Sequence, residues 1–472
     1  MIIGRKKEIK MLEESYNSNQ STFVAVYGRR RIGKTYLINE TFQEKIYFRH
    51  AGIYKGSYKE QLIAFSNSLK NCGYKNVGEI NNWFDAFEEL KTFINLSKEK
   101  KKILFIDEIA WMYTKNTDFI KVLENFYNSW VSARHDIMLI ICSSVTSWII
   151  NNIIHSKGGL YNRVTDQIHI EPFTLKECEE YSNYKSLNLS RKQIIEAYMV
   201  IGGVPYYWNY IKKGESIPQF IDDCFFNTNA LLKNELKYIF SSLFNSPDIY
   251  LSIIEKLSKK KYGLTRKEII EDGKLIDNGN LTQKLKDLIN CGFIREYSPI
   301  KYQKKLIIYQ LIDPFTIFHF HFLTNKVSDD NYWQNQLNTS PINTWKGLAF
   351  ERICLLHYNS IKKALGISGV YSSVYPWSCQ KDLDNGIFGS QIDMIIERSD
   401  DIINLIEIKY YDTKFLLTSK QLESIYKKKH DFIELTHTKS SVHLSLISLN
   451  GLIENKYSKE LQVSLTCDDL FL

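Results

Sequence analysis

STFVAVYGRRRIGKT, residues 21–35, is the stretch that decides the fold. Its first half is an apolar run with the composition of a buried strand. Its second half, Gly28 to Thr35, is GxxxxGK[ST], and the residues after it, YLINETF, continue as a helix pattern. Strand, glycine-bounded turn and helix are the context that a phosphate-binding loop needs. Backbone N–H groups along Gly28, Arg29, Arg30, Arg31, Ile32, Gly33, Lys34 and Thr35 would cradle the phosphates of ATP. Lys34 would reach the β- and γ-phosphates, and Thr35 would help to hold Mg²⁺.

Two more apolar runs belong with this loop. KKILFIDEIAW ends its strand in Asp107 and Glu108. Asp107 would hold Mg²⁺ through water, and Glu108 would polarise the attacking water. HDIMLIICSS ends in Ser143 and Ser144. One of these, with Ser144 the candidate, would sense the γ-phosphate; the alternative is a turn serine at a strand end. Strand and helix alternating at these distances predict a parallel α/β sheet over residues 1–175.

Beyond the sheet the pattern changes. Residues 176–245 carry apolar residues at helical spacing and predict a small helical subdomain, broken by IGGVPYYW. Residues 246–325 read as three helices followed by two strands, the order of a winged helix-turn-helix. Its third helix, Asn280 to Asn290, offers Gln283, Lys284 and Lys286 to DNA, and the wing turn offers Lys301, Gln303, Lys304 and Lys305 to phosphates. A winged helix serves equally as a protein–protein adaptor. Residues 340–472 open with the helix TWKGLAFERICLLHY and continue with two amphipathic runs, QIDMIIE and LIEIKYY.

Composition sets the bounds. The chain has 472 residues, more than one typical core, and its 44% hydrophobic and 24% charged content is that of an ordinary globular protein. A net charge of +8 permits anionic partners without requiring them. None of the 8 cysteines has zinc-site spacing, which predicts reduced thiols. The start MIIGRKKEIKML is charged at once and no apolar run is long enough to span a bilayer, so a cytoplasmic protein without membrane contact is expected.

The motifs together resemble the prokaryotic AAA-type ATPases often called the archaeal ATPase family. The similarity rests on IIGRKKEIKML with Gly4, Arg5 and Glu8, on the arginine-rich loop GRRRIGKT, on GLYNRVTDQIHIEPF, and on GGVPYYW at 202–208. It covers roughly the first 240 residues. It implies that Arg163 approaches a neighbouring subunit's nucleotide in a homo-oligomer; the alternative is an ordinary surface ion pair.

The last domain bears the second chemistry. Strand alternation places Glu407 and Lys409 on one face and Ile406, Ile408 and Tyr410 on the other. ERSDDIIN reads as a hairpin turn that sets Asp393 beside Glu407, and Glu351 on the preceding helix adds a further carboxylate. Carboxylate oxygens suit Mg²⁺, which would activate water beside a scissile phosphate. Lys409 would orient or deprotonate that water, or stabilise the charged transition state. The bland alternative is a solvated face with ion pairs. The order of helix, GSQID strand, turn, EIK strand and helix resembles the PD-(D/E)xK restriction-endonuclease-like fold, although Gln391-Ile392 stands where that pattern has its proline.

The expected architecture is therefore α/β: a P-loop NTPase parallel sheet, a helical lid, a winged helix-turn-helix and a restriction-endonuclease-like α/β domain. The expected function is ATP hydrolysis coupled to DNA binding or metal-dependent DNA cleavage, in defence or mobile-element maintenance. The alternative is an ATP-switched scaffold, signalling or transcription-regulatory protein whose last domain is silent.

Overall fold

A computed structural model of the chain describes residues 2–114, 117–271, 275–299, 306–324, 329–382, 384 and 386–472. The residues expected to form the wing turn, 301–305, lie outside the described residues. The chain forms two units: one of residues 1–172, 238–247 and 282–292, the other of residues 173–237, 248–281 and 293–472.

The first unit is built on five strands: β1 (Thr22–Tyr27), β2 (Ile46–Ala51), β3 (Lys102–Asp107), β4 (Ile137–Ser143) and β5 (Asp166–His169). All pair in parallel, in the order β2-β3-β4-β1-β5. β3 and β4 are buried along their whole length, which is why their sequences are continuous apolar runs without alternation. Helices α1 (Lys6–Asn17), α2 (Lys34–Phe42), α3 (Tyr58–Asn71) and α4 (Trp83–Asn95) belong to this sheet. One apolar cluster joins Phe65, Trp83 and Phe87 to Leu104, Ile106 and Leu139; the other joins Leu12, Leu37 and Ile38 to Val24, Phe105 and Ile140. Alternate strand residues thus feed two cores, one on each face.

In the second unit, α5 (Leu175–Tyr184) and α6 (Arg191–Ile201) are each opened by a capping box, from Thr174 and Ser190. GGVPYYW follows α6. Gly202 caps it at φ +58°, and Gly203 lies so close to Phe173 that an added Cβ would stand 1.9 Å from its carbonyl oxygen.

Next come α7 (Pro247–Ser258), β6 (Leu264–Thr265), α8 (Arg266–Ile270), α9 (Gly279–Asn290), β7 (Ile294–Tyr297) and β8 (Ile308–Leu311). The strands form an antiparallel sheet in the order β6-β8-β7. Most of α9 and the turn after it, residues 282–292, group with the first unit. The helix commits Leu281, Lys284, Leu285, Asp287 and Leu288 to burial and leaves Gln283 and Lys286 exposed.

The last part begins with α10 (Ser340–Leu356) and holds a five-stranded sheet of β9 (Ser372–Ser378), β10 (Gln391–Arg398), β11 (Ile402–Lys409), β12 (Ser441–Ser448) and β13 (Val463–Thr466), in the order β13-β12-β11-β10-β9. β9, β10 and β11 are antiparallel; β11, β12 and β13 are parallel. A parallel pair needs a crossover, and α11 (Ser419–Thr436) supplies it between β11 and β12. The apolar run FIELT is the end of that helix. No helix among the described residues is long and apolar enough to cross a membrane.

Candidate functional site

Two clusters of polar side chains stand at strand ends, one in each unit. In the first, Gly28 ends β1 at a point where an added Cβ would lie 2.3 Å from the Ile170 carbonyl oxygen, so only glycine fits. Gly33, at φ +87°, turns the chain into α2, which starts at Lys34. The helix N-terminus therefore opens beside the loop, where its first N–H groups lack intrahelical partners. Lys34 Nζ donates to the Gly28 and Arg29 carbonyls at 2.9 and 3.0 Å, which holds the side chain back along the loop. Arg29 and Ile32 are buried, Arg30 lies 5.9 Å from the Trp111 ring, and Arg31 adopts φ +71°.

The strand order brings the acids to this loop. β4 lies between β1 and β3, so the ends of all three strands converge. Thr35 Oγ1 donates to Asp107 Oδ2 at 2.7 Å, and Asp107 Oδ1 accepts the Glu108 N–H at 2.9 Å. Glu108 Oε2 accepts both the N–H and the hydroxyl of Ser144, each at 2.9 Å. Burial raises the Glu108 pKa, while Lys34 and the Ser144 bonds oppose that rise. The two serines have separate tasks. Ser143 Oγ accepts the Val145 N–H at 3.0 Å, as a turn serine does, and Ser144 holds the carboxylate.

Arg5 ties the start of the chain to the same region, donating to the Glu171 carbonyl at 2.6 Å. Arg163 is exposed in the turn before β5, close enough to Tyr127 to act on its hydroxyl. Cys291, just after α9, is buried, and burial pushes its thiol up to about 12; Arg29 and Lys34 are near enough to oppose this.

The second cluster lies on β10, β11, α10 and α11. Register pairs Met394 with Ile406, so Asp393 and Glu407, each one residue beyond, are cross-strand neighbours. The Asp431 carboxylate of α11, fully buried, receives the Ser390 hydroxyl and the Phe388 N–H and so fixes the entry to β10. Asp393 Oδ2 accepts the Ile408 N–H at 3.0 Å. Glu407 is 2% exposed, and its carboxylate is held by Lys409 at 3.2 Å and Lys428 at 2.5 Å. Glu351 on α10 and Asp393 share the ammonium of Lys261, which stands 3.2 Å from Asp393. Burial alone would lower the Lys409 pKa, but Glu407, Asp393 and Glu351 together outweigh it and raise it. Glu351, Asp393, Glu407 and Lys409 thus act on one another in a single neighbourhood.

Asp393 and Glu407, with Glu351 added from the preceding helix, were expected as ligands of Mg²⁺. In this arrangement each is bound to lysine, and among the described residues no group of three or more His, Cys, Asp or Glu side chains is placed to hold a metal. The donor set is nonetheless hard, anionic and mostly buried, which fits Mg²⁺ in kind. Lys261 and Lys428 escaped the sequence reading. Lys428 had a signal: it falls on the buried stripe of α11 with Leu422, Ile425 and Phe432. Lys261 had none, because it comes from another module.

Comparison with known proteins bears on the first cluster. Residues 2–211 match a family described as an ATPase domain predominantly from Archaea. A protein of Methanocaldococcus jannaschii, itself described as uncharacterized, is 23% identical over 435 residues, covering 91% of this chain and 92% of that one. An ATP-binding protein of the same organism is 42% identical over 45 residues, 10% of this chain and 76% of that one. Among solved structures, a Walker-type ATPase of Pyrococcus abyssi is similar at TM-score 0.48 and 15% identity, over 68% of this chain and 96% of that one. With the loop of Gly28–Thr35 bonded to Asp107 at the end of the parallel sheet, and residues 2–211 within the archaeal ATPase model, the chain belongs to the P-loop ATPase superfamily.

Proposed function

We propose that the ATPase is coupled to a metal-dependent, nucleic-acid-directed site in the last domain. The domains are read as residues 1–175 for the ATPase core, 176–245 for a helical lid, 246–325 for a winged helix and 340–472 for a PD-(D/E)xK nuclease-like domain. In the core, Gly28 to Thr35 bind ATP, Thr35 and Asp107 hold Mg²⁺, and Glu108 orients the attacking water once Ser144 releases it. Arg163 reaches the nucleotide of a neighbouring copy.

The observation that carries the proposal is the convergence of Glu351, Asp393, Glu407 and Lys409 at one end of β10 and β11. A chance solvated face would leave these groups in water, whereas Asp393 and Glu407 are 8% and 2% exposed. The three carboxylates would hold Mg²⁺, which supplies an activated water and offsets charge on a DNA phosphate. Lys409, with its raised pKa, keeps its proton and serves by stabilising charge rather than as a base. The test is cleavage of DNA with Mn²⁺ by the wild type, Asp393→Ala and Lys409→Ala; equal residual activity in all three sinks the nuclease assignment.

A second reading has its own observation. The three carboxylates are neutralised by three lysines, as in a domain that keeps the fold without cutting. The protein is then an ATP-switched scaffold or transcription regulator. A discrete footprint at one DNA site, lost on substituting Gln283 or Lys286, favours it.

A further inference from the structure

Of the three ammonium groups at the carboxylate centre, Lys409 and Lys428 come from β11 and α11. Lys261 comes from elsewhere, the turn between α7 and β6. We propose that Lys261 is a tethered cation standing where a divalent ion binds, so that the ion and the Lys261 ammonium engage Glu351 and Asp393 in alternation. The proposal rests on the carboxylate centre being a divalent-cation site.

The turn is built to deliver this side chain. The Lys261 carbonyl accepts hydrogen bonds from Gln310 Nε2 at 2.8 Å and Arg352 Nη2 at 2.9 Å. The Tyr262 carbonyl accepts the Tyr297 hydroxyl at 2.6 Å, and the Tyr262 hydroxyl reaches Gln391 at 3.3 Å. Gly263 closes the turn at φ +85°, where an added Cβ would lie 2.2 Å from the Tyr309 carbonyl oxygen. The backbone is fixed from both sides, and the ammonium has both carboxylates within reach.

Space decides against joint occupancy. The cavity that Lys261, Tyr262, Glu351, Arg352 and Asp393 line has a volume of about 10 Å³. One water needs roughly 10–15 Å³. Mg²⁺ keeps several waters and demands a regular shell, so it cannot enter beside the ammonium. Charge points the same way. Withdrawing the Lys261 ammonium leaves the buried Asp393 and the half-buried Glu351 without the cation bonded to them, with Lys409 acting on them only through space, a costly state that a divalent ion relieves. Closing the centre therefore needs no inhibitor, and opening it needs only the Lys261 side chain to swing away from its fixed turn.

The test uses the full chain without nucleotide. Mn²⁺ binding is titrated calorimetrically, and melting is followed with and without Mn²⁺, for the wild type, Lys261→Met, Lys261→Gln and each combined with Asp393→Asn. The expected result is Mn²⁺ binding at least about tenfold tighter in the Lys261 variants, with the gain abolished by Asp393→Asn. Mn²⁺ should also raise the melting temperature of the variants by more than that of the wild type. If both variants lose their cooperative melt, its restoration by Mn²⁺ supports the proposal and failure to restore it overturns it. Affinity unchanged by either Lys261 variant but weakened by Asp393→Asn overturns the competition while keeping the cation site. Binding indifferent to Asp393 in every background overturns the cation site itself.

Discussion

At the scale of single residues, the proposed nucleotide site is built on three contacts: Lys34 to its own loop, Thr35 to Asp107, and Glu108 to Ser144. Lys34→Ala removes the only lysine of the loop and should lower the ATP hydrolysis rate by at least about a hundredfold, the scale of losing one preorganised charge stabiliser. Glu108→Gln keeps the shape and the Ser144 contacts but cannot polarise water. It should bind ATP as tightly as the wild type by equilibrium titration and yet fail to turn over; hydrolysis at the wild-type rate would remove Glu108 from the mechanism. That Gly28–Thr35 would meet Asp107 and Glu108 was legible in residues 21–35 and 102–108, because a loop of this pattern is a local object whose glycines, lysine and threonine lie close in sequence. Which of Ser143 and Ser144 meets Glu108 was not legible. It depends on β4 lying between β1 and β3, a fact of strand order.

At the scale of elements, two joints deserve measurement. His357, after α10, is fully buried; its Nδ1 faces the Ile353 carbonyl at 2.9 Å and its Nε2 accepts the N–H of Leu175, the first residue of α5, at 3.0 Å. Burial lowers its pKa from 6.5 to about 4, so the folded state keeps it neutral. As pH falls below about 6.5 the unfolded chain takes up a proton that the folded chain refuses. Stability is then lost progressively until about pH 4, by roughly 3 kcal/mol for this group. Denaturant unfolding at pH 7.5 and 4.5 should show a smaller loss in His357→Gln than in the wild type. The second joint is Gly203. Gly203→Ala drives a methyl group into the Phe173 carbonyl and should destabilise the second unit by about 1–3 kcal/mol, read as a lower denaturant midpoint.

The elements also show where sequence patterning ran out. β10 and β11 were legible as two apolar runs joined by a turn, but not as amphipathic strands: both lie inside the sheet and are buried on both faces, and the turn shrinks from ERSDDIIN to residues 399–401. β9 was not, because Pro376 interrupts SSVYPWS and a proline demotes a strand to an edge, which is where β9 lies. β12 was missed because SVHLSLIS follows FIELTH closely, and the two runs cannot be separated without knowing that α11 extends to Thr436. The helix expected to read DNA is partly committed to packing: Lys284 is 8% exposed, and only Gln283 and Lys286 of its three polar candidates face outward. Helical periodicity could not show this, since Lys284 lies on the same stripe as Leu281, Leu285 and Leu288.

For the whole molecule, the claim is that one chain joins an ATPase to a second centre and that nucleotide controls what the second centre does. Its sharpest measurement is cleavage of duplex DNA with Mn²⁺, with and without ATP. The chains compared are the wild type, Lys34→Ala, Lys261→Met, Asp393→Ala and Lys409→Ala. The account predicts cleavage that is strongest in Lys261→Met, vanishes in Asp393→Ala and Lys409→Ala, and responds to ATP in the wild type but not in Lys34→Ala. Cleavage that persists without Asp393 and Lys409, or that ignores both ATP and Lys34, would contradict it.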